Sequence, residues 1–356
     1  MYLFIMIMER KKRLSSVFCN LFRNFALTMP QLRVHIYTKG DKLPDMTCCN
    51  YFHSASLFHV CEKTPRLRPY MVVVQQEDGT VLSHMLGMLR YRSSWFPPYL
   101  YMHCRVYGEG EYEEACETPT ERDELFGMML EALTRKLQRW VLYIEVSDLS
   151  GKMFGYRRFR QLHFFPVHWM KIHNSLHSHA PEDRVTDKFL QRIEQAKKRG
   201  AISKEVETDE EFRQFMKLLR SHHWLKPKRY IPDAKLFHML WEGQNGRLFV
   251  TKYRDRVIGC CACAYSEGNA YMWYSAFRRK SYVRLHPDDV TVWHALKHAY
   301  EQQYQHMFFM DAGLPFRRNP FREFILSFGG KPVSTYRWFR CNIGWINSIL
   351  SRIYRD

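Results

Sequence analysis

The sequence predicts an α+β protein in which one plan, a mixed and mostly antiparallel sheet flanked by helices, is written twice. Three observations carry this. Residues 209–340 read in the order α-α-β-β-β-α-β-α-β, and residues 54–172 repeat much of that order. In addition, FGYRRFRQLHFFPVHWMKI from Phe154 aligns with RRNPFREFILSFGGKPVSTYRWF from Arg317, with Pro166-Val167 opposite Pro332-Val333. The expected division is an N-terminal extension at 1–29, a divergent first unit at 30–180, and a second unit at 181–356 that carries the chemistry.

At the start of the chain, residues 1–8 are apolar but few, and Arg10-Lys11-Lys12-Arg13 follows them. A secretion signal has the opposite polarity, and a spanning helix needs about 20 apolar residues. Leu14, Val17, Phe18, Leu21, Phe22 and Phe25 recur at helical spacing. They read as a docking helix, as an interfacial helix on anionic lipid, or as residues upstream of a start at Met8 or Met29. In the first unit, Ser54–Lys63 is helical. Tyr70–Gln76 and Thr80–Tyr91 form a hairpin around Glu77-Asp78-Gly79. An aromatic strand (Pro98–His103), a long amphipathic helix (Thr120–Arg139), an apolar strand (Trp140–Ser147), a short helix (Phe154–Arg160) and a strand (Phe165–Ile172) complete it.

Asn174–Asp187 reads as a linker, and Thr186–Arg199 as a helix whose basic end suits its dipole. Asp209–His222 places Phe212, Phe215, Met216 and Leu219 on one face behind a Thr208 cap. Ala234–Trp241 ends at Gly243. Strands are expected at Arg247–Lys252, Arg256–Tyr265 and Ala270–Ser275, joined by tight turns. The helix Asp288–Gln303, the strand His306–Asp311, a short helix at Phe321–Leu326 and the strand Pro332–Arg340 follow. Ile346, Ile349, Leu350 and Ile353 form a last apolar helical face edged by Arg352 and Arg355. Packing on the body is its first reading, and membrane contact its second.

Composition sets the class of partner. Hydrophobic content of 46%, with 15% aromatic residues, excludes a disordered chain. The net charge of +18 attracts polyanions: a phosphate-bearing donor or precursor, RNA including tRNA, or an anionic membrane surface. The ten cysteines form no CxxC pair, and Cys260, Cys261 and Cys263 lie inside an apolar strand. They read as buried reduced thiols, which points to a cytoplasmic protein, membrane-peripheral at most.

Five stretches give the chain a resemblance: YMWYSA at Tyr271–Ala276, RLHPDD at Arg284–Asp289, WHALKHA at Trp293–Ala299, FMDAG at Phe309–Gly313 and NPFREFILSFGGKP at Asn319–Pro332. With the order of elements they resemble the GNAT acyltransferase fold. The tandem arrangement resembles the FemAB-type aminoacyltransferases and their acetyltransferase-like and cellulose-biosynthesis-type relatives. The resemblance spans Phe212–Trp338 well and the first half faintly. It implies an N-acyltransferase or aminoacyltransferase acting on an amine, with a cell-envelope precursor as one acceptor. The donor it implies is aminoacyl-tRNA or acyl-CoA, without a metal. A CoA-dependent N-acetyltransferase and a non-enzymatic module binding RNA or a membrane surface are the alternatives. Two departures stand out. The loop RRKSYVRLHPDD lacks the glycines that bring backbone N–H groups to the CoA pyrophosphate. The Phe-Lys pair of the FemAB type falls on Phe324-Ile325, so the lysine is absent.

Acyl transfer to an amine needs a proton acceptor and donors for a tetrahedral oxyanion. The fold implies that site in the splay after Tyr274-Ser275, opposite Asp311. Asp311, at a strand end, is the candidate base, and His286 a candidate proton shuttle. Arg278, Arg279, Lys280 and Arg284, with Arg317 and Arg318, are candidates for gripping phosphate. Trp273, Tyr274 and Trp293 are candidates for an acceptor pocket, and Lys331 for a substrate contact. His294 and His298, one helical turn apart, read as helix packing rather than as metal ligands.

Overall fold

Side-chain caps fix where many of the helices begin. Ser54 accepts from Leu57 N and starts α1 (Ala55–Lys63). Thr118 and Glu121 form a capping box, with Pro119 in the first turn, for α2 (Pro119–Leu137). Thr186 caps α4 (Asp187–Lys198), Asp233 caps α6 (Ala234–Glu242) and Asn319 caps α8 (Pro320–Leu326). The remaining helices are α3 (Tyr156–Gln161), α5 (Asp209–His223), α7 (Pro287–Glu301) and α9 (Gly344–Ile353). The structure is a computed structural model and describes residues 32–94, 98–114, 118–223, 230–310, 312–315 and 318–354. The apolar stripe at Leu14–Phe25 lies outside the described residues.

Thirteen strands form one sheet in the order β1-β2-β3-β4-β6-β13-β7-β12-β11-β10-β9-β8, with β5 (Glu111–Tyr112) beside β3. The first unit supplies β1 (Arg33–Tyr37), β2 (Leu67–Gln75), β3 (Val81–Ser94), β4 (Tyr99–Tyr107), β6 (Tyr143–Ser147) and β7 (Phe165–Ser175). The second supplies β8 (Ala201–Glu205), β9 (Gly246–Tyr253), β10 (Arg256–Ser266), β11 (Asn269–Phe277), β12 (His306–Phe309) and β13 (Lys331–Cys341). The short strands β1, β5 and β8 were not legible in the sequence. Pairing is antiparallel except for β4 with β6 and β11 with β12, one parallel pair in each unit.

The two sheets expected from the sequence are joined by an exchange of last strands. β7 of the first unit lies against β12, and β13 of the second lies against β6. β7 and β13 pair with each other from Lys331–His173 to Phe339–Phe165. Each parallel pair would otherwise present an open strand edge, and the exchange closes both. The cores follow the strands. Trp338, from the second unit, is fully buried in the first unit's core, stacked on Phe159 at 4.5 Å. Ile172 and Leu176, from the first unit, lie in the core under α4 and α7. A third core joins α1 to α5 and α6. Cys260 faces that third core while Cys261 and Cys263 face the opposite one, as strand alternation requires.

Three first-unit histidines are held neutral. Burial, with His84 nearby, pushes His53 down to about 3, and its Nδ1 accepts from Leu86 N at 3.0 Å. Burial pushes His84 down to about 4. Burial, then the guanidinium groups of Arg90, Arg92 and Arg105, pushes His103 down to about 2. Below about pH 6.5 the unfolded chain takes up protons on these rings that the folded chain refuses. Stability is therefore complete above that pH and falls as pH drops, by about 1.4 kcal/mol per pH unit for each ring. Urea melts at pH 7.5 and pH 5.5 test this, and coincident midpoints would refute it.

α9 differs from the expectation that its apolar face packs on the body. Trp345, Ile349 and Ile353 are exposed, and the helix buries no residue. It is tethered by polar links, Asn347 Oδ1 accepting from Cys341 N and Asn347 Nδ2 donating to His163 O, while Tyr354 just beyond it stacks on Phe165.

Candidate active site

The register of β10 against β11 shifts by one residue between Cys263–Met272 and Ala262–Tyr274, so Trp273 is an extra residue in β11. Such a bulge reverses the alternation of faces beyond it. Met272 therefore points to the core under α7, whereas Trp273 and Tyr274, adjacent in sequence, both point to the core shared by the two units. Their rings lie 5.5 Å apart. Tyr274 meets Phe237 edge-on, and Ser275 is buried on the strand's other side. Just before the bulge, the parallel ladder of β11 with β12 ends at Met272–Phe309, after which, among the described residues, only Met310 N reaches Met272 O, at 3.4 Å. In the first unit the β4–β6 ladder runs to the last residue of both strands, Tyr107–Ser147. Parting strands with a bulge thus belong to the second unit, at the residues where the sequence put the site.

What surrounds the bulge comes largely from the first unit, which sequence reasoning did not anticipate. Trp273 Nε1 donates to the Tyr107 hydroxyl at 3.1 Å, and Arg90 Nη2 donates to the same oxygen at 3.0 Å. Phe52 meets Trp273 and Tyr271 edge-on. Lys171 lies 4.4 Å over the Phe308 ring. Alongside, Arg105 and Arg337 converge on Glu145, and Arg337 covers the Trp169 ring at 3.9 Å. The signal was weak: lone charged residues in otherwise apolar strands, whose meeting depends on the exchanged strands.

The basic loop leads to the N-terminus of α7. Thr291 Oγ1 donates to Pro287 O, and Gly259 leaves no room for a Cβ against them, so α7 sits tightly on β10. His286 caps the helix in the left-handed region at φ 42°. Asp288 and Asp289 fill the first turn. Arg279 pairs with Asp288, and Arg192 (3.5 Å) and His286 (3.7 Å) pair with Asp289. Burial, then Asp288, pushes the Asp289 carboxyl up. Arg279 also covers the Phe324 ring at 4.3 Å, and Phe324 packs on Phe277.

The remaining candidates are spread out. Arg278 N donates to Ile258 O, and the carbonyl of exposed Arg284 accepts from Arg199 at 2.8 Å. Arg318 pairs with Glu323 at 3.5 Å on the surface. Trp293 packs edge-on against Phe189 in the core under α7, across the sheet from Trp273. Lys331 opens β13 opposite His173, exposed. His294 and His298 flank the Phe249 ring. Ile325 is fully buried. Asp311 and Arg317 lie outside the described residues.

Residues 183–318 match the family model of the acetyltransferase (GNAT) domain. Among solved structures, FemX matches with a TM-score of 0.56 at 10% identity, covering 91% of this chain and all of that one. The chain has the FemAB-like GNAT acyltransferase fold. L-PGS from Bacillus licheniformis follows, with a TM-score of 0.53 at 11% identity, over 84% of this chain and 92% of the other. A tandem GNAT protein from the clavulanic acid biosynthesis pathway matches with a TM-score of 0.52 at 12% identity, over 88% and 99%. A search of curated protein sequences gave no match. In this fold β11 and β12 are the parallel pair of the second unit, and the N-terminus of α7 follows the basic loop that leaves β11.

Proposed function

We propose that this tandem GNAT protein is an N-acyltransferase or aminoacyltransferase that moves a group from an activated ester to an amine in the gap where β11 and β12 part. The observation that carries the reading is the filled N-terminus of α7. Two carboxylates, held by Arg279, Arg192 and His286, occupy the place where a CoA pyrophosphate would need backbone N–H groups and positive charge. Phe277 and Phe324 close the space beside it, and Tyr274 and Ser275 are only 4% and 5% exposed. These features disfavour CoA as donor and favour an aminoacyl ester such as aminoacyl-tRNA, for which a +18 chain has the right sign of charge.

The acceptor we propose is an amine-bearing cell-envelope precursor. The likeness to FemX and to the C-terminal domain of a putative lysylphosphatidylglycerol synthetase supports the cell envelope as the source of the acceptor, and the amine is our own assignment. Exposed Trp345, Ile349, Ile353 and Trp140 support a peripheral contact with the membrane where such precursors reside. Among the described residues no helix is long and apolar enough to cross a membrane.

Thermal shift against acyl-CoA, aminoacyl-tRNA and a nucleotide-linked muropeptide tests the reading. A true ligand at a hundredfold excess over its Kd stabilises the fold by about 2.7 kcal/mol. Aminoacyl-tRNA and the muropeptide should do so, and acyl-CoA should not. Asp311→Ala should lower transfer by about 10²–10⁴-fold at unchanged melting temperature. If RNA binds without saturating and no acyl donor shifts the melt, the protein is a binding module and the enzymatic reading fails.

A further inference from the structure

A cavity of about 440 Å³ lies between α4, α7 and the edge strand β8, across the sheet from the bulge at Trp273. Its size suits a small ligand. Leu190 and Ile193 of α4, with Val290 and Trp293 of α7, give it an apolar floor. Glu194 and Lys197 extend the first pair at helical spacing, and His294, Lys297 and Glu301 extend the second. Each helix thus turns one face to the cavity. Ser203 of β8 and Glu182, from the 3-10 turn Pro181–Arg184, complete the wall.

The polar atoms left over on this wall are acceptors. Three carboxylates face two ammonium groups, an excess of one negative charge. Both lysines are engaged: Lys297 Nζ lies 2.7 Å from Glu182, and Lys197 Nζ 3.2 Å from Glu194. The third carboxylate, Glu301, is exposed and forms no ion pair with a lysine or arginine among the described residues. Burial, then His298, pushes His294 down, so that ring adds no positive charge at neutral pH.

Ser203 is an acceptor too, for a reason that lies in the interior. Its Oγ is 2.6 Å from Thr251 Oγ1, which is 2.6 Å from Thr291 Oγ1. Thr291 Oγ1 in turn donates to Pro287 O. A carbonyl can only accept and each hydroxyl has one proton, so that end fixes the direction of the whole chain. Thr291 has spent its proton on Pro287, Thr251 must therefore donate to Thr291, and Ser203 to Thr251. Both threonines are fully buried, so solvent does not compete for these protons. Ser203 is left with lone pairs alone for the cavity.

We infer that this cavity binds a small organic ammonium with an apolar body. The ammonium donates to Ser203 and balances the excess carboxylate, and the body lies on the floor beside Trp293. The inference stands on the cavity and its hydroxyl chain and does not depend on the acyl-transfer reading.

Isothermal titration of the full chain at pH 7 with phenethylamine, phenethyl alcohol and 3-phenylpropionate tests it. The amine should bind saturably. The alcohol should bind about tenfold more weakly or worse, the loss expected when a charge-assisted hydrogen bond goes, and the acid should not bind. Ser203→Ala and Glu301→Gln should each weaken amine binding by about tenfold or more on the same ground. Glu301 is exposed, so its variant should melt with the parent. Glu242→Gln, on α6 across the sheet, should bind as the parent does. Absence of saturable amine binding, alcohol binding as tight as the amine's, or a Glu301 variant that binds like the parent overturns the proposal.

Discussion

Glu145→Leu is expected to cost the fold about 3–5 kcal/mol, the range for breaking a buried charge pair by removing one partner. Glu145, Arg105 and Arg337 are each only 6% exposed. Arg337 Nη1 lies 3.0 Å from Glu145 Oε1, and Arg105 Nε lies 3.6 Å from the same oxygen. Arg105 also reaches Ser147 Oγ at 3.4 Å and Asp148 Oδ2 at 3.9 Å, and Ser147 donates to that carboxylate. Without Glu145, Arg105 keeps Ser147 and Asp148, Arg337 keeps the Trp169 face, and both buried guanidinium groups lose the carboxylate on which they converge. The three residues sit on β6, β4 and β13, so the loss falls on the seam between the units. The double variant Glu145→Leu, Arg337→Met should recover much of the loss, because a well-packed apolar pair of similar volume replaces an ion pair at little cost. Urea melts of parent, single and double variants check both statements. A single variant within about 1 kcal/mol of the parent would show that the cluster is dispensable.

This seam is also where the sequence stopped being legible. Helices with capped starts and amphipathic faces, such as α5 and α6, could be placed within a residue or two because their pattern is local. The hairpins of β2 with β3 and of β9 through β11 were equally local, with turn residues at Asp78-Gly79 and Glu267-Gly268. The exchange of β7 and β13 is not local. It depends on which of two similar strands closes which edge, and Phe165–Ile172 and Pro332–Arg340 carry no mark of it. Residues that meet only through that exchange, such as Glu145 with Arg337, were therefore missed. The bulge at Trp273 was hidden for another reason. YMWYSAF reads as a continuous buried strand whose near-uniform apolar character masks a change of face. The loop RRKSYVRLHPDD was read as a site for phosphate. Its acids at Asp288 and Asp289 were visible, yet that they occupy the helix N-terminus themselves emerges only from the packing of α7 on β10.

Ile325→Lys, which restores the residue of the FemAB-type Phe-Lys pair, is expected to unfold the second unit rather than to enhance transfer. Ile325 is fully buried in the core that holds Ile172, Phe309 and Phe328. Asn174, beneath it, already donates to Phe328 O at 2.6 Å. An ammonium group there would lose its hydration with no carboxylate to meet it among the described residues of that core, so the lysine would enter the fold neutral. Neutralising it at pH 7, against an ordinary pKa of about 10.4, costs roughly 4–5 kcal/mol at about 1.4 kcal/mol per pH unit. The sign is distinctive. The unfolded chain holds the proton and the folded chain does not, so the variant regains stability as pH rises from 7 towards 10, by about 1.4 kcal/mol per pH unit relative to the parent. Melts of both proteins across that range test the claim. A variant as stable as the parent at pH 7, with raised transfer activity, would mean that position 325 faces the site and that the buried arrangement of α8 is wrong for the working enzyme.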